Sequence, residues 1–258
     1  MNRITQRFED KKQGILNLYF TAGFPKIDDT RTILTILQEA GADMIEIGMP
    51  FSDPIADGPT IQASNQQALD NGMNLKKLFE QLANFRSEIH LPVILMGYIN
   101  PVLQFGIENF CKACQQVGID GLILPDLPMQ EYLEIYKPVF EKHGLLNIFL
   151  ITPQTSENRI REIDENTEGF IYVVSSASTT GAKTAVSEEQ MHYFERINTL
   201  NLKNPTLIGF GISDHQTFLR ACKYANGAII GSAFIKVLEQ THALKSDILN
   251  FVKKVKED

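Results

Sequence analysis

The stretch ILNLYFTAGFP, residues 15–25, decides the fold. Its first six residues are a short β-rich run, and TAGFP is the turn that follows. An open doubly wound sheet usually carries its glycine-rich phosphate turn at this point, and here the turn holds one glycine. Similar runs recur along the chain: MIEIGM from Met44, PVILMGY from Pro92, GLILPD from Gly121, NIFLIT from Asn147, FIYVVS from Phe170, TLIGFGI from Thr206 and GAIIGS from Gly227. Helical patterns separate them at 29–40, 75–86, 107–117, 130–143, 156–166, 187–200, 214–224 and 241–255. Eight strands, each followed by helix, predict a parallel sheet closed as a single (β/α)8 TIM barrel. One barrel domain over 1–258 fits the usual length of this fold. A helix over 3–11 is expected to cover the barrel floor, a helical insertion over 61–70 to follow the second strand, and a short extra helix over 233–239 to follow the eighth. Gly41, Gly118 and Gly144 suit left-handed helix ends, and Asp28, Ser156, Ser187 and Ser213 suit N-caps.

The whole chain excludes several function classes. A net charge of −7 disfavours a surface for nucleic acid. No apolar run approaches the ~20 residues of a membrane span, and the N-terminus lacks a signal-peptide hydrophobic region, so a soluble, cytoplasmic protein is expected. Cys111 and Cys114 form C-x-x-C inside a helical pattern without a second ligand pair, so they read as structural thiols and no metal is expected.

The chemistry concentrates in EIGMPFSDPIADGP, residues 46–59. Glu46 lies among Met44, Ile45, Ile47 and Met49 in a strand buried on both faces, so its carboxyl pKa should rise. Asp57 follows Pro50 and Pro54 in a segment that must project as a loop from the strand's C-terminal end, and it should stay ionised. Two acids pushed apart in this way form an acid/base pair. Taken singly, a salt-bridged strand Glu and a turn-forming Asp explain each residue as well.

Glycines stand where a barrel binds phosphate: Gly181 after strand six, Gly211 after strand seven, and Gly231 with Ser232 at the start of the extra helix. Backbone N–H groups, the helix N-terminus and the Ser232 hydroxyl can hold phosphate oxygens without a cation. The loop SSASTTGAKTAV, residues 175–186, is small and polar and suits closure over a ligand, which would bring Thr180 near Asp57.

Taken with NPVLQFG from Asn100, GIDGLILPDLP from Gly118, FIYVVSSASTTGA from Phe170 and GFGIS from Gly209, the 46–59 loop resembles the tryptophan synthase alpha subunit family over nearly the whole chain. The resemblance implies cleavage of indole-3-glycerol phosphate to indole and glyceraldehyde 3-phosphate without a bound cofactor. Glu46 matches the acid/base, Asp57 the carboxylate that holds the indole N–H, and Tyr172 a hydroxyl near the reacting groups. Tyr19, Met96, Leu124 and Phe210 would wall the indole. The resemblance further implies an alpha2 beta2 complex with a pyridoxal-phosphate beta subunit, met by Pro54, Asn100, Asp126 and Pro128. Ser178 and Thr179 depart from the family's usual Gly-Val. Two other readings stay open: a related phosphate-binding barrel enzyme of the same pathway, and a barrel scaffold that only activates a beta subunit.

Overall fold

The computed structural model describes residues 1–175, 188–209 and 211–257. Apolar runs too short for a helix and bounded by Gly or Pro form the strands: β1 (Ile15–Thr21), β2 (Met44–Gly48), β3 (Val93–Met96), β4 (Gly121–Ile123), β5 in two pieces (Leu146–Asn147 and Leu150–Ile151), β6 (Ile171–Val174), β7 (Thr206–Gly209) and β8 (Gly227–Ile230). Each pairs in parallel with its neighbours in the order β5-β4-β3-β2-β1-β8-β7-β6. The ring closes through the interrupted strand. Leu146 and Asn147 pair with β4, Leu150 and Ile151 pair with β6, and between them Ile148 N–H donates to Leu122 while the Phe149 carbonyl accepts from Tyr172 N–H. The predicted barrel is therefore present.

Alternation along each strand divides the core in two. Ile15, Met44, Ile94, Ile123, Ile148, Tyr172, Leu207 and Ile229 face inward and pack together. Leu16, Leu18, Ile45, Ile47, Leu95, Leu122, Val173 and Ile230 face outward, against helices through residues such as Ile33, Leu37, Phe110 and Phe234. The N-terminal helix, Arg3–Asp10, inserts Ile4 and Phe8 into the inner cluster and so plugs the floor. Full burial of two such side chains contributes roughly 1.5–3 kcal/mol each. Two carboxylates fasten the helix there. Asp120 takes Arg3 at 2.9 Å and Arg86, and Asp43 takes Lys11 at 2.6 Å, while the same acids accept Val93 N–H and Leu16 N–H at the starts of their strands.

Helices follow the predicted spans with some corrections. The 75–86 segment ends its α-helix at Gln81, then turns through Asn84, whose φ is 58°, into a short 3-10 turn. The 130–143 segment runs as α-helix, a π stretch over Tyr132–Tyr136 and α-helix again. Pro138 has no N–H to donate, which breaks the regular ladder there. An additional helix, Ile99–Phe105, follows β3. Ser156 is an N-cap as predicted, whereas Asp28 makes no side-chain cap bond and Asp214, rather than Ser213, caps the helix His215–Tyr224 through a capping box. Ser187 lies outside the described residues. Gly118 closes its helix in the left-handed region at φ 89°, and Gly41 and Gly144 have the same sign of φ.

Candidate active site

Glu46 is the middle residue of β2, turned inward between β1 and β3, opposite Tyr19 and Ile94 in register. It is 0% exposed. Its Oε1 accepts from Asn17 Nδ2 at 2.6 Å, and its Oε2 has no partner among the described residues. Burial pushes its pKa up to about 8, partly opposed by the Asn17 hydrogen bond. At neutral pH this carboxyl holds a proton.

Asp57 lies in the loop between β2 and the helix Pro59–Asp70, in a turn closed by Asp57 N–H to the Pro54 carbonyl at 3.0 Å. Tyr98, just past β3, braces it: the phenol accepts Ala56 N–H at 2.9 Å and donates to Asp57 Oδ2 at 3.1 Å. Burial pushes the Asp57 pKa up to about 6, opposed by the Tyr98 bond. The loop shields Asp57 more than a projecting turn would, yet it is still mostly ionised at pH 7. The two acids thus stand on opposite sides of neutrality, as an acid/base pair requires.

Tyr19 and Tyr172 lie near both acids. Both phenols are buried, and burial raises both pKa values, with further upward pushes from Glu46 and Asp57. Strand-end glycines give their rings room. A Cβ on Gly48 would lie 2.1 Å from the Tyr19 hydroxyl oxygen, and a Cβ on Gly209 would lie 2.2 Å from that of Tyr172. Beyond Tyr19, Thr21 and Ser64 hydroxyls meet at 2.7 Å.

Of the predicted indole wall, Tyr19 shares the inward face of β1 with Ile15 by alternation, and Met96 that of β3 with Ile94. Leu124, which follows inward Ile123, instead lines a cavity of about 320 Å³ with Leu127, Met129 and Phe149. Period-2 alternation puts Ile123 inward in its place. Phe210, Thr180, Gly181 and the Ser178-Thr179 departure lie outside the described residues. Gly211 is exposed with open space around it, and Gly231 precedes the helix Ser232–Glu239, whose first N–H groups point out of the helix start. Ser232 is exposed, and a Cβ on Gly231 would lie 3.5 Å from Tyr19, so this helix start adjoins the Tyr19 ring.

Asn100, Asp126 and Pro128 are exposed in the segments that follow β3 and β4, and Asp126 also accepts Ile99 N–H at 3.0 Å. Pro54 is buried, and its loop instead presents Ile55, 86% exposed. Cys111 and Cys114 are buried free thiols, that of Cys111 pushed up to about 12 by burial. Among the described residues no three His, Cys, Asp or Glu side chains converge as metal ligands, and no helix is long and apolar enough to cross a membrane.

Sequence reasoning missed Asn17, Tyr98, Gly48 and Gly209. Asn17 carried a signal, being the polar residue in an otherwise apolar run that shares the face of Tyr19.

Residues 5–257 match the family described as tryptophan synthase alpha chain. A tryptophan synthase alpha chain from Flavobacterium psychrophilum is 58% identical over 255 residues, covering 99% of this chain and 100% of the relative. One from Bacteroides thetaiotaomicron is 53% identical over 93% of this chain and 94% of its own. The crystal structure of a tryptophan synthase alpha chain from Legionella pneumophila superimposes with a TM-score of 0.89 at 31% identity, covering 99% of this chain and 96% of that one. Barrel, paired carboxylates and relatives of matching length agree, and the chain belongs to the tryptophan synthase alpha chain family.

Proposed function

We propose that this chain cleaves indole-3-glycerol phosphate by a retro-aldol step in which Glu46 moves the protons and Asp57 holds the charge. Neutral Glu46 donates its proton to the indole ring carbon that bears the glycerol chain. Positive charge then develops on the ring, and ionised Asp57, accepting the indole N–H, stabilises it. The new Glu46 carboxylate next takes the proton of the adjacent hydroxyl while the carbon–carbon bond breaks, its electrons returning to the ring. Indole leaves with the donated proton, glyceraldehyde 3-phosphate leaves as the aldehyde, and Glu46 is again neutral.

The observation that carries this reading is the pair of shielded carboxyls, pushed up by burial to about 8 at Glu46 and about 6 at Asp57, both near enough to the Tyr19 and Tyr172 phenols to act on them. Tyr172 stands close enough to both to feel their charge, Tyr19, Met96 and Ile123 wall the ring, and the Gly211 and Gly231–Ser232 backbone takes the phosphate. Phe210, Thr180 and Gly181 complete wall, closure and cradle in this reading. The chemistry uses side chains alone, with no cofactor in this subunit.

The family implies a beta-subunit partner. An alpha2 beta2 assembly, with pyridoxal phosphate in the partner and indole passed directly to it, suits the exposed Ile55, Asn100, Asp126 and Pro128 on the catalytic face. Free thiols suit a reducing, cytoplasmic setting, and residues 1–258 are taken as one barrel domain. Glu46→Gln and Asp57→Ala should each lower indole release at least ~100-fold while glyceraldehyde 3-phosphate still binds. Wild-type cleavage by either variant overturns the assignment.

A further inference from the structure

We infer that Asn17 is the positioning residue of the acid/base carboxyl, holding Glu46 Oε1 as an acceptor so that Oε2 alone exchanges the proton with substrate. The inference rests on the function proposed above and names a further residue of the same site. Asn17 precedes Tyr19 by two residues on the inward face of β1, and Tyr19 stands opposite Glu46, so the amide reaches the carboxyl diagonally from the row nearer the barrel floor. Both side chains are 0% exposed, and the Nδ2 to Oε1 distance is 2.6 Å.

The other carboxyl oxygen is the informative one. Glu46 Oε2 is buried without a partner among the described residues. A buried polar atom left in that state costs roughly 1–3 kcal/mol and calls for an explanation. A substrate atom as its partner supplies one. Asn17 Nδ2 is a donor only, and a carbonyl oxygen accepts from it better than a hydroxyl oxygen does, so the bond makes Oε1 the carbonyl oxygen and favours Oε2, the oxygen without a partner, as the one that carries the proton. The amide turned the other way would set its carbonyl against Oε1 and draw the proton there, away from substrate. An apolar side chain at this position would leave the two oxygens equivalent. Asn17 also favours the ionised carboxyl that remains after the first proton transfer.

Asn17→Leu keeps the volume and removes the donor, and Asn17→Asp keeps the shape and replaces the donor with an acid. The labelled carboxyl resonance of Glu46, identified by its loss in Glu46→Gln, is followed by NMR across pH in the folded protein without substrate. Its midpoint should rise by about one pH unit in Asn17→Leu and further in Asn17→Asp, and the alkaline limb of kcat/KM should move with it. At neutral pH, kcat should fall ~10-fold or more with KM little changed. Asn17→Ser, which retains a hydroxyl donor, should restore part of the midpoint and serves as the readout if the other two do not fold. A Glu46 midpoint unchanged in a folded variant lacking the donor overturns the inference. Because the titration involves no substrate, a wild-type protein that releases no indole would refute the proposed function while the titration still decides for or against Asn17.

Discussion

Replacing Glu46 with Gln should stabilise the protein, and by an amount that grows with pH. The folded state raises the Glu46 pKa from 4.5 to about 8, chiefly by burial. Between those values the unfolded chain has lost a proton that the folded protein retains. Stability fully present below about pH 4.5 is therefore lost progressively as pH rises toward 8, at ~1.4 kcal/mol per pH unit. The limit over the full window is about 5 kcal/mol, and at pH 7 it is about 3 kcal/mol. Gln is close in shape to the neutral acid, keeps an oxygen for Asn17 Nδ2, and does not titrate. Asp57 is common to both proteins and cancels. Urea unfolding of wild type and Glu46→Gln at a series of pH values should give curves that nearly coincide near pH 4.5 and diverge steadily to pH 8, with the variant the more stable. A difference that stays level across that range would mean Glu46 titrates as an ordinary carboxyl, and the reasoning from its burial would fail.

Cleavage by the wild-type protein should follow a bell in pH, falling below about 6 as Asp57 takes a proton and above about 8 as Glu46 loses one. Tyr98→Phe removes the hydrogen bond that favours ionised Asp57, so the acid limb of kcat/KM should move to higher pH while the alkaline limb stays in place; an unmoved acid limb would show that Asp57 is not the group titrating there. Gly231→Ala should fold and bind inorganic phosphate nearly as wild type does, because its Cβ meets Tyr19 only at 3.5 Å. Gly231→Asp should weaken phosphate binding by calorimetry at least ~10-fold through like-charge repulsion, and equal binding by the two variants would move the cradle elsewhere.

The features legible in the sequence were those set by local composition. A carboxylate within MIEIG had to be buried, and an aspartate between prolines had to lie in a loop, because strand burial and proline geometry act over a few residues. The alternation of runs and helices carried the barrel for the same reason. What was not legible depends on contacts distant in the chain. Tyr98 meets Asp57 across 41 residues and Asn17 meets Glu46 across 29, so their types could be read and their partners could not. Leu124 was exchanged for Ile123 because β4 is three residues long and apolar on both faces, leaving no alternation to read. The helix Ile99–Phe105 was missed because Asn100-Pro101 reads as a turn, although proline is equally at home in the first turn of a helix. The floor helix was expected, but the anchoring of its cations on Asp43 and Asp120 needed the fold.

The measurement that bears most directly on the chemistry is release of indole from indole-3-glycerol phosphate by the purified chain, alone and with a beta subunit, beside Glu46→Gln and Asp57→Ala. The account predicts measurable cleavage by the chain alone, strong enhancement by the partner, and loss of at least ~100-fold in each variant under both conditions. Folded wild-type protein that releases no indole even with the partner, or a Glu46→Gln protein that cleaves as fast as wild type, would contradict it.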